Sequence, residues 1–389
     1  MTDLERILAL WRELEAAGAD YVLATVVAVQ GPSYRKPGAL MLITADGRRA
    51  GTVSGGCLEA EVAGRAWWLT ANGPIVQRYS TADDDGDRPF GSGCGGVVFL
   101  LLERRATAGP MLTALDRAFE MRVPLAVATV LEGEHTGQRA FAGLEPGLPE
   151  AQRQMPEQAD GRDLLHDLAE QSLARNASME TEIEVDGNNA KVLADYRPAR
   201  PALGIFGAGD DAQPLVRMAK ELGWFVSVAD GRSHLSTRVR FPLADELSIL
   251  PVKDLPRVDW GGADTVFGNL HPEDAAVVMT HSFEQDAKVL ACLLALDAGP
   301  GYIGVLGPQR RTRELLGEAA ELLGFSASTT LAQVDRWLAH LHAPTGLDLG
   351  AESPETIALS VLAEIQKFRT EATALPLRNV RGSAVTIAS

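Results

Sequence analysis

Leu4, Ile7, Leu8, Trp11 and Leu14 recur at helical spacing, and Thr2 with Glu5 forms a T-x-x-E capping box ahead of them. The chain therefore opens on an amphipathic helix that stops at Gly18. The β-branched run YVLATVVAV reads as a buried strand, and ALMLITADGRRAGTVS as a hairpin turned at Asp46-Gly47. Helical periodicity returns from about Leu58 to Asn72 and ends at Gly73-Pro74. Strands PIVQRYST and VVFLLLERR then flank the loop ADDDGDRPFGSGCGG, and helix MLTALDRAFEMR and strand PLAVATVLEG follow. From Leu144 to Asn189 the chain is polar and poorly periodic, apart from a helix around Leu164 to Leu173, and it closes in the hairpin TEIEVDGNNAKVLADY. Residues 1–196 thus form a mixed α/β domain. RPARP, residues 197–201, packs two prolines and two arginines into five positions and reads as a linker.

Beyond it the pattern changes to strand, glycine turn, helix and strand: ALGIFGAGDDAQPLVRMAKELGWFVSVADGR. Gly207, Gly209 and Ala212 make a G-x-G-x-x-A turn, and Asp230 stands 21 positions beyond Gly209 at the end of the next strand. The order predicts a C-terminal Rossmann-like domain with a parallel sheet over 202–345. Alternation in ADTVFGNL, AAVVMTH, DAKVLACLLALDA, GYIGVLG and RTRELLGEAAELLG supports it. Such a turn brings backbone N–H groups to a diphosphate at a helix N-terminus. Asp210 and Asp211, however, stand in that turn and oppose an anion, so nucleotide binding and a turn kept for helix packing remain alternatives. Ligands of open parallel sheets bind at the carboxyl ends of the strands, where the sequence places Asp230, Arg232, Thr280, His281 and Gly307. His281 is a candidate proton carrier or an anion or metal contact, or a loop histidine satisfied by backbone. His234, His271, His340 and His342 show no metal-ligand spacing, and the last two read as surface residues at a helix end. Residues 346–389 carry SPETIALSVLAEIQKFR, a capped helix with Ile357, Val361 and Ile365 on one face, expected to pack back on the domain or on a second subunit in a homodimer.

Composition narrows the classes of function. The 389 residues are 46% hydrophobic and 23% charged, as in a globular protein of two or three domains. A formal charge of −16, with no basic run, excludes a nucleic-acid partner. The acidic amphipathic start is not a signal peptide, and no stretch reaches the ~18 to 20 apolar residues of a membrane span. Three scattered cysteines suit a reducing cytoplasm rather than a disulfide framework.

Candidate chemistry concentrates on one thiol. Cys57 lies in GTVSGGCLEAEV, a Gly-rich turn that becomes a helix at once. It fits a structural cysteine, a disulfide partner, a nucleophile, or a soft ligand to a metal or sulfur-carrying cofactor. Exposed backbone N–H groups and a helix start beside the sulfur favour a reactive thiolate. Cys94 sits in a second such turn, GSGCGG, whereas Cys292 in KVLACLLAL is most simply a core residue.

Taken together, GPSYRKPGALMLITADG, GTVSGGCLEAEV, GCGGVVFLLLE, the Gly207 fingerprint, RFPLADE, Thr280-His281 with Asp286, YIGVLG and PTGLDLGAESPETIALSVLAEI resemble the XdhC/CoxI family, from about Leu23 to Ile365. Its members are maturation factors for xanthine dehydrogenase and carbon monoxide dehydrogenase. The resemblance implies a protein that binds molybdenum cofactor, assists its sulfuration together with a cysteine desulfurase, and delivers it to a molybdenum hydroxylase apoenzyme. On that reading Cys57 contacts molybdenum or its sulfur, Cys94 supports it, and Ser33, Arg35, Lys36, Ser54, Gly55 and Gly56 form an anion-binding loop. A dithiolene-held molybdenum is a soft centre that thiolate suits, and a pterin phosphate is an anion for Gly-rich backbone and basic side chains. Gly207, Gly209, Asp230, Arg232 and His281 would hold NAD(P), another nucleotide or part of the cofactor. The chain departs from the family at Asp210, where many members carry histidine, at Ser282-Phe283 in place of the x-H of T-H-x-H, and at Pro308 in place of serine, with Arg310 and Arg311 near the usual basic position. Two competing readings are an NAD(P)-dependent oxidoreductase using Asp230 and His281, and an interaction scaffold with no small-molecule site.

Overall fold

The computed structural model describes residues 1–80, 96–144, 161–185, 188–255 and 267–381. The chain divides into two compact units, Met1–Arg200 and Pro201–Ser389.

The first unit is built on two antiparallel sheets. Helix α1 (Asp3–Ala17) is capped as its sequence requires, with Thr2 and Glu5 bonding reciprocally and Gly18 closing it in the left-handed conformation. Strands β1 (Tyr21–Gln30), β2 (Leu40–Thr44), β3 (Arg49–Gly51), β4 (Ile75–Ser80) and β5 (Val97–Arg104) form one sheet in the order β3-β2-β1-β5-β4. Strands β6 (Leu125–Val130), β7 (Arg139–Ala142), β8 (Met179–Val185) and β9 (Asn188–Arg197) form the other in the order β7-β6-β9-β8. Successive side chains of β1 alternate between its two faces and nearly all are apolar, so both faces are buried. Val22, Ala24 and Val26 pack under α2 (Glu59–Leu69), while Tyr21 and Leu23 meet α1 and α3 (Arg105–Met121). Val27 and Leu101 meet Leu131 and Leu193 of the second sheet, whose other face is covered by α4 (Gly161–Arg175).

One local expectation needs revision. The sequence reading starts a helix at Met111, after Pro110, yet α3 begins at Arg105 and carries Pro110 within it. The burial of Ala108 and the pairing of Arg105 with Glu15 at 2.7 Å offset the one backbone bond that proline lacks. RPARP contains the boundary between the units, and its two arginines are anchored to the first unit. Arg197 ends β9 and pairs with Asp195 at 2.8 Å, while Arg200 lies 3.5 Å from Glu5 and 4.4 Å from the Phe119 ring centre.

The second unit carries the parallel sheet. Strands β10 (Ala202–Phe206), β11 (Phe225–Asp230), β12 (Glu246–Ile249), β13 (Ala275–Val278) and β14 (Tyr302–Val305) are ordered β12-β11-β10-β13-β14, all pairs parallel. Helices α6 (Phe283–Leu294), α7 (Gln309–Leu322) and α8 (Ala327–Leu338) cover one face. Helix α5 (Ala212–Glu221) and the C-terminal α9 (Pro354–Thr370) cover the other. The expected apolar stripe of α9 is the lid of this domain's own core: Ala358, Val361, Leu362 and Ile365 are buried against α5 and Tyr302. The short helix α10 (Leu377–Arg381) ends the described chain. Of ADTVFGNL only Phe267–Leu270 lies within the described residues, as a turn whose Phe267 and Leu270 enter the core. No helix among the described residues is long and apolar enough to cross a membrane.

His342 is not the surface residue that its position suggests. It stacks on Tyr302 with ring centres 4.1 Å apart and meets Glu364 at 3.1 Å, and Tyr302 donates to the same carboxylate at 2.7 Å. This cluster fastens β14 to α9. Burial and the Glu364 hydrogen bond push the Tyr302 hydroxyl pKa well upward.

Candidate functional site

The thiol loop runs from β3 to α2, and its ends are fixed by apolar burial. Val53 and Leu58 are sunk in the core beneath α2, which lifts Gly55, Gly56 and Cys57 into solvent. What shapes the loop is a residue that the sequence reading passed over. Glu59, buried in the first turn of α2, accepts from the Val53 N–H at 3.2 Å, the Ser54 N–H at 2.8 Å and the Ser54 hydroxyl at 2.7 Å. Ser54 Oγ in turn accepts from the N–H groups of Gly56 at 3.3 Å and Leu58 at 3.0 Å. Burial alone would raise the Glu59 pKa, but these donors outweigh it and hold the carboxyl below its usual range. Gly56 takes φ of 112°, a conformation that side chains rarely adopt, so the turn needs glycine there.

These bonds limit what the turn can offer an anion. Four N–H groups of the Gly-rich turn already have carboxylate or hydroxyl acceptors, leaving those of Gly55 and Cys57 without a partner among the described residues. The open donors flank the thiol itself. The only sequence signal for Glu59 was an acid five residues after Ser54, and spacing alone cannot say that it points inward.

The loop after β1 comes to lie beside this turn. Arg35 Nε donates to Thr52 Oγ1 at 2.9 Å, and a Cβ built on Gly55 would meet the Tyr34 ring at 3.5 Å. Ser33 donates to the Arg35 carbonyl at 2.8 Å, and Lys36 is exposed. Arg35 is not an unpaired cation, because its guanidinium also bonds Asp3. Ser33, Arg35, Ser54, Gly55, Gly56 and Cys57 therefore form one constellation, with the Lys36 ammonium facing water. Cys94 lies outside the described residues. Gly96 is close under Pro32, where a Cβ would meet the carbonyl oxygen at 2.1 Å. Among the described residues no group of three or more His, Cys, Asp or Glu side chains is arranged to hold a metal ion. Cys292 is buried in α6, where burial pushes its thiol up to about 12.

The second constellation lies at the carboxyl edge of the parallel sheet, where the strand order reverses between β10 and β13. Gly207 has φ of 137°, and a Cβ there would meet the Met279 carbonyl oxygen at 2.4 Å, so the turn is pressed against the end of β13. Asp230 is fully buried. It accepts from the Ala208 N–H at 2.8 Å, the Arg232 N–H at 2.8 Å, and Arg232 Nε and guanidinium NH2 at 3.0 and 2.8 Å. Its burial is outweighed by these bonds, which hold the carboxyl below its usual range. The acid expected to meet a ribose and an amide of the glycine turn thus hold each other.

The remaining charges pair around this centre. Arg240 meets Asp210 at 2.8 Å and Arg311 meets Asp286 at 2.5 Å. Asp286 also accepts from the Thr280 N–H at 3.0 Å and hydroxyl at 2.6 Å, which explains the spacing in Thr280-His281 followed by Asp286. Asp211 packs against Gly209 and faces His281 Nε2 at 2.8 Å. His281 takes φ of 60° and leaves its ring half exposed. The structure brings Gly207, Gly209, Asp230, Arg232 and His281 together, with the Asp230 carboxylate bonded to the turn at the Ala208 N–H and Asp211 against Gly209, and both negative charges oppose an anion there.

The chain is thus a two-unit α/β protein with an exposed thiol on a carboxylate-braced Gly loop in one unit and, in the other, a Rossmann-like glycine turn bonded to its own acids. Its residues 14–80 match the model of the XdhC and CoxI family, and residues 203–365 match that of the XdhC Rossmann domain. The chain belongs to the XdhC and CoxI family. It is 30% identical, over 90% of its length and 93% of the relative's, to a protein of Bacillus subtilis described as a probable subunit of xanthine dehydrogenase. It is 26% identical to the molybdenum cofactor insertion chaperone PaoD of Escherichia coli, over 95% of this chain and 90% of that one. A crystal structure described as a xanthine dehydrogenase from Bacillus halodurans superposes with a TM-score of 0.65 at 26% identity, covering 98% of this chain and 99% of that chain.

Proposed function

We propose that this protein binds molybdenum cofactor and delivers it to a molybdenum hydroxylase of the xanthine dehydrogenase type. The observation that carries the reading is the exposed Cys57 thiol, flanked by N–H groups of Gly55 and Cys57 that have no partner among the described residues, on a turn held by hydrogen bonds to Glu59 and Ser54. A dithiolene-bound molybdenum is a soft cargo for thiolate, and a single protein sulfur held in solvent suits a carrier that must also release. The two open amides and Lys36 are the donors available to the cargo's anionic tail. The relative named as an insertion chaperone supports the same role. The reading extends to a cytoplasmic homodimer working with a cysteine desulfurase as sulfur source, and to Cys94 in a supporting role.

The test is anaerobic loading with molybdenum cofactor, followed by gel filtration and assay of co-eluting molybdenum and oxidised pterin. Wild type is expected to retain stoichiometric cofactor and Cys57→Ala to lose it. Equal retention by both would remove Cys57 from the site, and retention by neither would end the carrier reading.

The oxidoreductase alternative has the Asp230 geometry against it. Asp230 already engages the Ala208 N–H and Arg232 in four hydrogen bonds, with which a dinucleotide would compete. NADH titrated to about 1 mM is expected to leave fluorescence unchanged. A saturable signal lost in Asp230→Ala would restore that alternative.

A further inference from the structure

The first unit contains a groove that neither the thiol loop nor the glycine turn uses. It opens between the two edge strands β4 and β8, has a volume of about 830 Å³, and is floored by Val27, Val76, Phe99 and Leu131. Val76 and Phe99 are only partly buried, so apolar surface faces water there. The β8 side of the rim is acidic. Glu180 pairs in register with Leu193, Glu182 with Lys191 and Glu184 with Asn189, which puts all three exposed carboxylates on the groove face of the sheet. Lys191 is bonded to Glu132 at 3.0 Å, and Glu182 and Glu180 draw on it as well; Arg78 stands on the β4 side. Along a strand, alternate residues repeat at about 7 Å, so the carboxylates form an evenly spaced row.

We propose that β8 docks an extended segment of a partner protein with basic residues at every second position, added to the sheet as a fifth strand. Long basic side chains suit both surfaces at once. Their aliphatic stems cover the apolar floor while their heads reach Glu180, Glu182 and Glu184. The intervening residues of such a strand fall on the other face, beside the partly buried Met179 and Ile183 that pack toward α4, and there apolar side chains extend the core. Among the described residues β8 pairs with β9 alone, so its outer backbone groups are available to that strand. Charge on an edge strand also guards against aggregation, but that role needs no water-facing apolar floor behind the charges.

The proposal is independent of the cargo reading, and its test uses the full-length protein. The probe is a fluorescein-labelled octapeptide of alternating arginine and valine, read by fluorescence anisotropy. Controls are an alternating glutamate and valine peptide, a block peptide of four arginines then four valines, and the alternating peptide with N-methylated valines. Wild type is expected to bind the alternating peptide at least ~10-fold more tightly than any control. Glu180→Lys with Glu182→Lys is expected to lose that preference, whereas Cys57→Ala keeps it, so failure here and failure of the carrier reading are distinguishable. Equal binding of the block peptide, or unchanged binding by the double variant, would overturn the proposal. So would sedimentation showing that the double variant only breaks a self-association, since the occupant would then be a second copy of this chain.

Discussion

Replacing Glu59 with alanine is expected to lower stability by about 3 kcal/mol, from the loss of an acceptor shared by three buried donors at about 1 kcal/mol each. Urea denaturation followed by circular dichroism measures it. The Val53 and Ser54 amides would be left inside without a carboxylate, and the Ser54 hydroxyl, which positions Gly56 and Leu58, would lose its anchor. Glu59→Gln keeps the shape and one acceptor and is expected to lose less than half as much. The pH dependence has a definite sign. The Glu59 carboxyl is held below its usual value in the folded chain, so its contribution is fully present above the unfolded glutamate pKa of about 4.3 and fades as pH falls through the lowered folded value. Glu59→Gln should flatten that part of the acid limb. An Ala variant as stable as wild type would mean that the loop does not depend on this carboxylate. Because the same residue holds the turn beneath Cys57, loss of cofactor retention at temperatures where Glu59→Ala remains folded would tie loop rigidity to the proposed delivery.

A larger loss is expected at the core of the first unit. Glu103 and Arg139 are almost wholly buried and meet at 2.7 Å, with Arg139 also donating to the Thr107 carbonyl at 2.8 Å. Arg139→Met removes the cation and strands a carboxylate, which costs about 3–5 kcal/mol near neutral pH. Burial raises the Glu103 pKa even with the arginine present, so without it the carboxyl protonates more readily still. The sign is therefore opposite to that of Glu59. Stability of Arg139→Met should recover as pH falls and Glu103 takes up its proton, while wild type gains far less over the same range. The double variant Glu103→Leu with Arg139→Met should regain most of the loss at pH 7. A double variant no better than the single one would show that packing, rather than the unpaired charge, sets the cost.

Several elements were legible without coordinates because they depend on neighbours along the chain. Thr2 and Glu5 lie three residues apart, the Asp46-Gly47 turn joins adjacent strands, and Ala202 to Asp230 is one strand-turn-helix-strand unit, so local periodicity and turn chemistry specify them. Cys292 was recognisable as core from its apolar helix alone. The membership that YIGVLG, GTVSGGCLEAEV and the glycine turn suggested is likewise a property of the residues in order.

What sequence left open depended on the direction in which charges point. Glu59 and Glu61 are both acids in the first turn of α2, yet only Glu59 turns inward to seal the loop. Arg35 reads as a cation for a ligand until folding sets it beside Asp3, 32 residues earlier. Asp230 has the spacing of a ribose acid, but Arg232 and Ala208 occupy it, and Asp211 reaches His281 across 70 residues. His342 is half-buried rather than a surface residue because β14 and α9 converge on it. The sequence by itself determined most of the elements and the family, since those follow from periodicity and motif. Only the tertiary structure decided which carboxylates are already engaged, because a buried acid is satisfied by donors distant in sequence and no spacing rule can name them.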